Sequence, residues 1–186
     1  VVSSIESKAS ADKLSIIQSY KAKIERELVE ICEDILLIIE KDLIPKSTAE
    51  EGKVFYYKMK GDYHRYMAEY HKDPQLKDVI EAACSSYKEA YQAAMTLKAT
   101  DPIRLGLALN FSVFYYEIQN DHKQACKLAK DAFDTAVTQL EALTEAQYKD
   151  ATLIMQLLRD NLTLWQSEDN EDESTVEKDG TRVENI

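Results

Sequence analysis

Cations, aromatics and a carboxylate are concentrated in the stretch Lys53-Val-Phe-Tyr-Tyr-Lys-Met-Lys-Gly-Asp-Tyr-His-Arg-Tyr66. At 3.6 residues per turn, Lys58, Asp62, Arg65 and Tyr66 share one helical face. These types suit a phosphate. A guanidinium offers a planar fork to two oxygens, an ammonium adds a point charge, and a phenol adds an O–H donor with little side-chain entropy to lose. Asp62 and Glu69 follow Lys58 and Arg65 by four residues, the spacing at which a carboxylate orients a cation. The same two pairs also read as ordinary solvated pairs, worth roughly 0.2–0.5 kcal/mol each.

Two other stretches place an amide among large apolar groups. Asn110 interrupts Leu109 and Phe111, with Glu117 two turns on, and Leu157, Asn161, Leu164 and Trp165 share a later face. An amide in an apolar run is destabilising unless it is satisfied, so one reading of each Asn is a hydrogen bond between helices. The other is a clamp on the backbone of an extended peptide, since the amide both donates and accepts. Together the three faces would give a groove with a cationic wall (Lys58, Arg65, Tyr66) and an apolar wall (Leu109, Val113, Ile154, Leu157, Leu164, Trp165).

The elements needed to position these residues are helices. Only four Gly and three Pro occur in 186 residues, with 45% hydrophobic and 31% charged, too little turn chemistry for a many-stranded fold. An all-α, antiparallel up-and-down array in one domain follows. The periodicity predicts helices over about 11–42, 51–71, a third that starts at Asp73-Pro74, and further ones over 102–119, 122–143 and 145–166. Pro45 is read as stopping the first, whose buried stripe is Ile17, Tyr20, Ile24, Leu28, Ile31, Ile35 and Ile38. Thr48-x-x-Glu51 and Thr144-x-x-Gln147 are candidate capping boxes, and Asp73-Pro74 and Asp101-Pro102 are start signals with Asp as N-cap. Later stripes include Leu76, Ile80, Ala83, Tyr87 and Tyr91, and then Tyr148, Ala151, Met155, Leu158 and Leu162.

Net charge is −11. Residues 167–186 hold eight acids against Lys178 and Arg182, a net −6, which leaves −5 on the body; that segment reads as a disordered acidic tail behind a helical domain at 1–166. An acidic body argues against nucleic acid or an anionic membrane as partner. Cys32, Cys84 and Cys126 are odd in number and far apart, which fits buried thiols in a reducing compartment. His64, His71 and His122 lack metal-ligand spacing, and neither a nucleophile–base pair nor a glycine-rich phosphate loop is present. No catalytic residue, metal or cofactor is expected.

The chain closely resembles the 14-3-3 family of phosphoserine/phosphothreonine-binding adaptors over about residues 1–165. The resemblance is carried by the 53–66 stretch, by Pro102-Ile-Arg-Leu-Gly-Leu-Ala-Leu-Asn-Phe-Ser-Val-Phe-Tyr-Tyr-Glu-Ile118 and by Tyr148-Lys-Asp-Ala-Thr-Leu-Ile-Met-Gln-Leu-Leu-Arg-Asp-Asn-Leu-Thr-Leu-Trp165. It implies that Arg65 and Tyr66 bind phosphate with Lys58 lining the groove, and that Asn110 and Asn161 hold peptide backbone. Leu109, Val113, Leu157, Leu164 and Trp165 would form the apolar side, with Asp62, Glu69 and Glu117 orienting the pocket. The family dimerises, which implies that Tyr20, Lys23 and Glu27 face another subunit as homo- or heterodimer. It has no cofactor and acts on phosphorylated clients in cytoplasm and nucleus.

Matched to that pattern, Val1 falls inside the family's third helix, so the first two helices and the start of the third are expected to be missing, along with two phosphate-binding cations. At about 1.5–3 kcal/mol per charge-assisted bond, the chain as written is expected to bind phosphopeptides weakly, and also to dimerise poorly. The competing expectation is a helical scaffold that binds partners without needing phosphate.

Overall fold

The computed structural model describes residues 11–72 and 74–179, which form six long helices and, among the described residues, no strand. They are α1 (Ala11–Ile38), α2 (Glu50–Ala68), α3 (Gln75–Ala94), α4 (Pro102–Val113), α5 (His122–Val137) and α6 (Glu145–Asp179). Residues 1–10, 73 and 180–186 lie outside this description.

Several predicted boundaries hold for the predicted reason. Asp101 accepts a hydrogen bond from the Ile103 N–H at 2.8 Å, with Pro102 opening α4. The Thr144/Gln147 box closes in both directions, at 3.1 and 3.3 Å. At the α4–α5 break, Asn120 adopts φ 53° and Asp121 caps α5 by accepting from the Gln124 N–H.

Other boundaries differ. Pro45 does not stop the first helix. A π-helical turn, Ile39–Leu43, loosens the ladder ahead of the missing proline N–H, one α-turn (Ile44–Lys46) follows, and Ser47 finally turns the chain to extended geometry. The Thr48/Glu51 box does not form: α2 begins at Glu50, with Ala49 as an N-cap that makes no side-chain bond. Glu50 and Glu51 then sit in the first turn, where the helix dipole favours acids. Helix α3 starts at Gln75 with Pro74 before it, and the proposed Asp73 cap lies outside the described residues. Helix α5 ends at Val137, and Leu140–Ala142 is a separate 3-10 turn. Helix α6 continues to Asp179 instead of ending near Gln166, because Glu and Lys are good helix formers and the sequence offers no Gly or Pro before Gly180. The rest of the acidic segment lies outside the described residues.

Two buried clusters meet at α4. One joins Val54 of α2, Ala83, Tyr87 and Ala90 of α3, and Leu107 and Phe111 of α4. The other joins Leu105 of α4, Ala125 and Ala129 of α5, and Ala151, Met155, Leu158 and Trp165 of α6. The buried Ala125, Ala129 and Ala136 of α5 have little side-chain bulk to hold its neighbours off. Helix α4 is thus apolar on two faces and ties the α2–α3 pair to the α5–α6 pair. Of the three cysteines, Cys32 is buried, and Cys84 and Cys126 are half-buried.

The predicted stripe on α1 is only partly buried, with Ile17, Ile24 and Ile35 half-buried. Cys32 and Leu36 of α1 pack with Met67 of α2, whereas Tyr20, Leu28, Ile31 and Ile38 are exposed, Ile31 at 55%. Moving one position along a helix turns the face by about 100°, so the line on which Cys32 and Leu36 meet α2 is turned away from Leu28, Ile31 and Ile38. On α6, Tyr148 is likewise exposed rather than buried. Among the described residues no helix is long and apolar enough to cross a membrane.

Helix α2 lies against α3 over its whole length, and one glycine permits the approach. A Cβ on Gly61 would stand 2.8 Å from Cδ1 of the fully buried Tyr87 ring. Gly61→Ala is therefore expected to destabilise the fold by about 1–3 kcal/mol, since the ring has no free end to swing aside. A chemical denaturation midpoint equal to that of the unsubstituted chain would show that the two helices separate without strain.

Candidate functional site

Asp62 is the centre of the candidate site. Its carboxylate is buried on α2 and accepts three hydrogen bonds: from Lys58 Nζ at 2.7 Å, from the Tyr87 hydroxyl at 2.6 Å and from Asn110 Nδ2 at 2.9 Å. Three helices therefore converge on one anion. A buried carboxylate is tolerated only when its lone pairs are met in this way.

Arg65 lies one turn further along α2, its side chain only 11% exposed. Its Nε donates to the Tyr87 oxygen at 3.2 Å, while Nη2 stays 4.0 Å from Asp62 Oδ1. The guanidinium carbon also sits 4.8 Å from the centroid of the Tyr66 ring. Burial disfavours the charge of Arg65, but the neighbouring Tyr87 and Asp62 oxygens outweigh it and hold its pKa above the ordinary range. Burial first, and then the Asp62 carboxylate, push the Tyr87 phenol far above its usual pKa. Arg65 is cationic and Tyr87 neutral at any working pH.

Lys58, Arg65 and Tyr66 thus lie on one face, as predicted, with Tyr66 39% exposed at its rim. Lys58 crosses Gly106 of α4, where its Cε would be 3.9 Å from an added Cβ. One turn later, Asn110 makes the hydrogen bond between helices that its place in an apolar run calls for, by donating to Asp62. Its carbonyl oxygen has no protein partner among the described contacts.

Two of the predicted orienting carboxylates are not in place. Glu69 does not hold Arg65, which turns back toward Asp62 and Tyr87; Glu69 instead lines a cleft with Tyr70, His71 and residues of α1. Glu117 is exposed and makes no ion pair or hydrogen bond among the described residues. The residue missing from the predicted set is Tyr87, whose ring looked like one more member of a buried stripe. Sequence spacing carries no signal for its hydroxyl, because its partners are 22 and 25 positions away.

The apolar wall is continuous with this cluster through α4. Leu109, Val113 and Ile154 are half-buried against the α4–α6 core, while Leu157 and Leu164 are exposed at 46% and 53%. Leu153, at 68% exposure and four residues before Leu157, belongs to the same helical face and was findable by spacing alone. Asn161 is half-buried on that face. Trp165 differs from expectation: it is 4% exposed and stacks on Tyr116 at 4.6 Å, with His122 on Tyr116 at 4.1 Å. It fastens α6 to α4 and α5 rather than facing the groove. Tyr20 is exposed, and Lys23 and Glu27 pair at 3.8 Å on the surface of α1.

The family model described as "14-3-3 protein" matches residues 1–166. A 14-3-3-like protein of Fucus vesiculosus is 58% identical over all of this chain and 76% of its own length. The 14-3-3-like protein B of Hordeum vulgare is 52% identical over 99% of this chain and 72% of its own. For 14-3-3 protein epsilon of Drosophila melanogaster the identity is 58%, over 88% of this chain and 63% of the relative.

Proposed function

This chain belongs to the 14-3-3 family of adaptor proteins, which are not enzymes, and we propose that it binds client proteins through a phosphorylated serine or threonine. The observation that carries the reading is the cluster around Asp62. Two half-buried cations on one face, Lys58 and Arg65, are held in fixed geometry beside an amide with an unused carbonyl.

Such an arrangement suits an anion that takes several hydrogen bonds at once, and a phosphoryl group has three acceptor oxygens. Tyr66 adds a phenol at the rim. Asn110 and Asn161 take the peptide backbone on either side, and Leu157 and Leu164, with Leu109 and Val113 behind them, cover its side chains. The exposed Tyr20, Lys23 and Glu27 meet a second 14-3-3 subunit. The clients are phosphorylated signalling proteins of the cytoplasm and nucleus, which the adaptor masks or holds.

The test is a fluorescence-anisotropy titration with a labelled Arg-rich phosphoserine peptide and its unphosphorylated twin. Tighter binding of the phosphorylated form is expected. Equal binding of both, with the helical circular-dichroism signal intact, would replace this reading with that of a phosphate-independent helical scaffold.

A further inference from the structure

Within the cluster, the Tyr87 hydroxyl occupies the gap between the two groups of opposite charge. It donates to Asp62 Oδ1 at 2.6 Å and accepts from Arg65 Nε at 3.2 Å, while Arg65 and Asp62 themselves come no closer than 4.0 Å. That separation is anomalous for such a pair. Both side chains are largely buried, at 11% and 9% exposure, where attraction is strong, and a charge-assisted N–H···O bond ordinarily closes to about 2.7–2.9 Å.

We propose that Tyr87 is a positioning residue that keeps Arg65 and Asp62 apart, so that the guanidinium fork stays available to a phosphate. The inference rests on the reading that Arg65 binds phosphate. A hydroxyl is suited to the task because it donates to the carboxylate and accepts from the guanidinium at the same moment. Its location is fixed by the ring, which stacks on Phe111 at 5.2 Å, leans on Phe114 at 5.5 Å and fills the space above Gly61. If the oxygen is removed, Asp62 loses a donor and Arg65 loses an acceptor. Direct pairing satisfies both, and it engages the N–H groups that a phosphate would use. Lys58 and Asn110 still hold the Asp62 carboxylate by both of its oxygens, so Arg65 is the group that moves.

Tyr87→Phe keeps the ring and its packing and removes only the oxygen. In the anisotropy titration its preference for the phosphorylated peptide over the unphosphorylated twin is expected to fall about tenfold, the loss of roughly one charge-assisted hydrogen bond. In an Asp62→Asn background, where no charge remains to capture Arg65, the same substitution is expected to have little further effect. An equal loss in both backgrounds would mean that Tyr87 only supports the fold, and would overturn the proposal. A ligand-free crystal structure of Tyr87→Phe gives a second readout, independent of phosphate binding. Arg65 and Asp62 in direct contact at about 3 Å is expected; an unchanged separation overturns the positioning role even if the chain binds phosphopeptides well. Conversely, closure of the gap in a chain whose unsubstituted form shows no phosphate preference would refute the binding reading alone.

Discussion

Arg65→Ala is expected to remove most of the phosphate-dependent part of peptide binding while barely changing the affinity of the unphosphorylated peptide. The guanidinium is the only planar fork in the cluster, and a bidentate contact contributes two charge-assisted hydrogen bonds. At about 1.5–3 kcal/mol for each such bond, the loss is about 3 kcal/mol or more, a factor of at least about 100 in Kd. Arg65→Lys is expected to fall between the two, because it keeps the charge and loses the fork. Folding is expected to suffer little in either variant, since Asp62 retains Lys58, Tyr87 and Asn110 as donors. The check is the pair of titrations with phosphorylated and unphosphorylated peptide. A parallel loss for both peptides would place Arg65 in general groove structure and remove it from phosphate recognition.

Asp62→Ala carries the largest expected cost in stability. The carboxylate joins α2, α3 and α4, and without it Lys58 is left half-buried without its counter-ion while the Tyr87 hydroxyl and the Asn110 amide each lose an acceptor. Removing one partner of a buried ionic cluster typically costs about 3–5 kcal/mol. For a domain whose whole stability is about 5–15 kcal/mol, that is a large share. The expected result is a marked fall in the urea midpoint with an unchanged denaturant slope, together with loss of phosphopeptide binding in the fraction that stays folded. A midpoint like that of the unsubstituted chain would mean that water replaces the carboxylate, and that Asp62 does not organise the cluster.

Helix number, the order of the elements, the Asp101 cap and the Thr144/Gln147 box, and the grouping of Lys58, Asp62, Arg65 and Tyr66 on one face were legible from the amino acids alone. These are local properties: a 3.6-residue period, an Asp before a Pro, a Thr three residues before a Gln. That Leu157, Asn161 and Leu164 share one face of α6 was legible in the same way, and Leu153 was within reach of the same rule. What the sequence left open depends on which helix lies against which. The isoleucine line of α1 has the right period, yet α2 packs on Cys32 and Leu36, because contact direction is set by the neighbour and not by the helix. Trp165 has the right spacing for a groove residue and is instead stacked on Tyr116. Glu69 has the right spacing to hold Arg65, but a partner 22 residues away wins. The three-helix junction at Asp62 is the clearest case. Lys58 is a helix neighbour, visible in any sequence, whereas Tyr87 and Asn110 reach the same carboxylate from 25 and 48 positions away. Local spacing determines which side chains share a helix face; only tertiary packing determines which of them come within 3 Å of one another across helices, and the Arg65 fork owes its position to that.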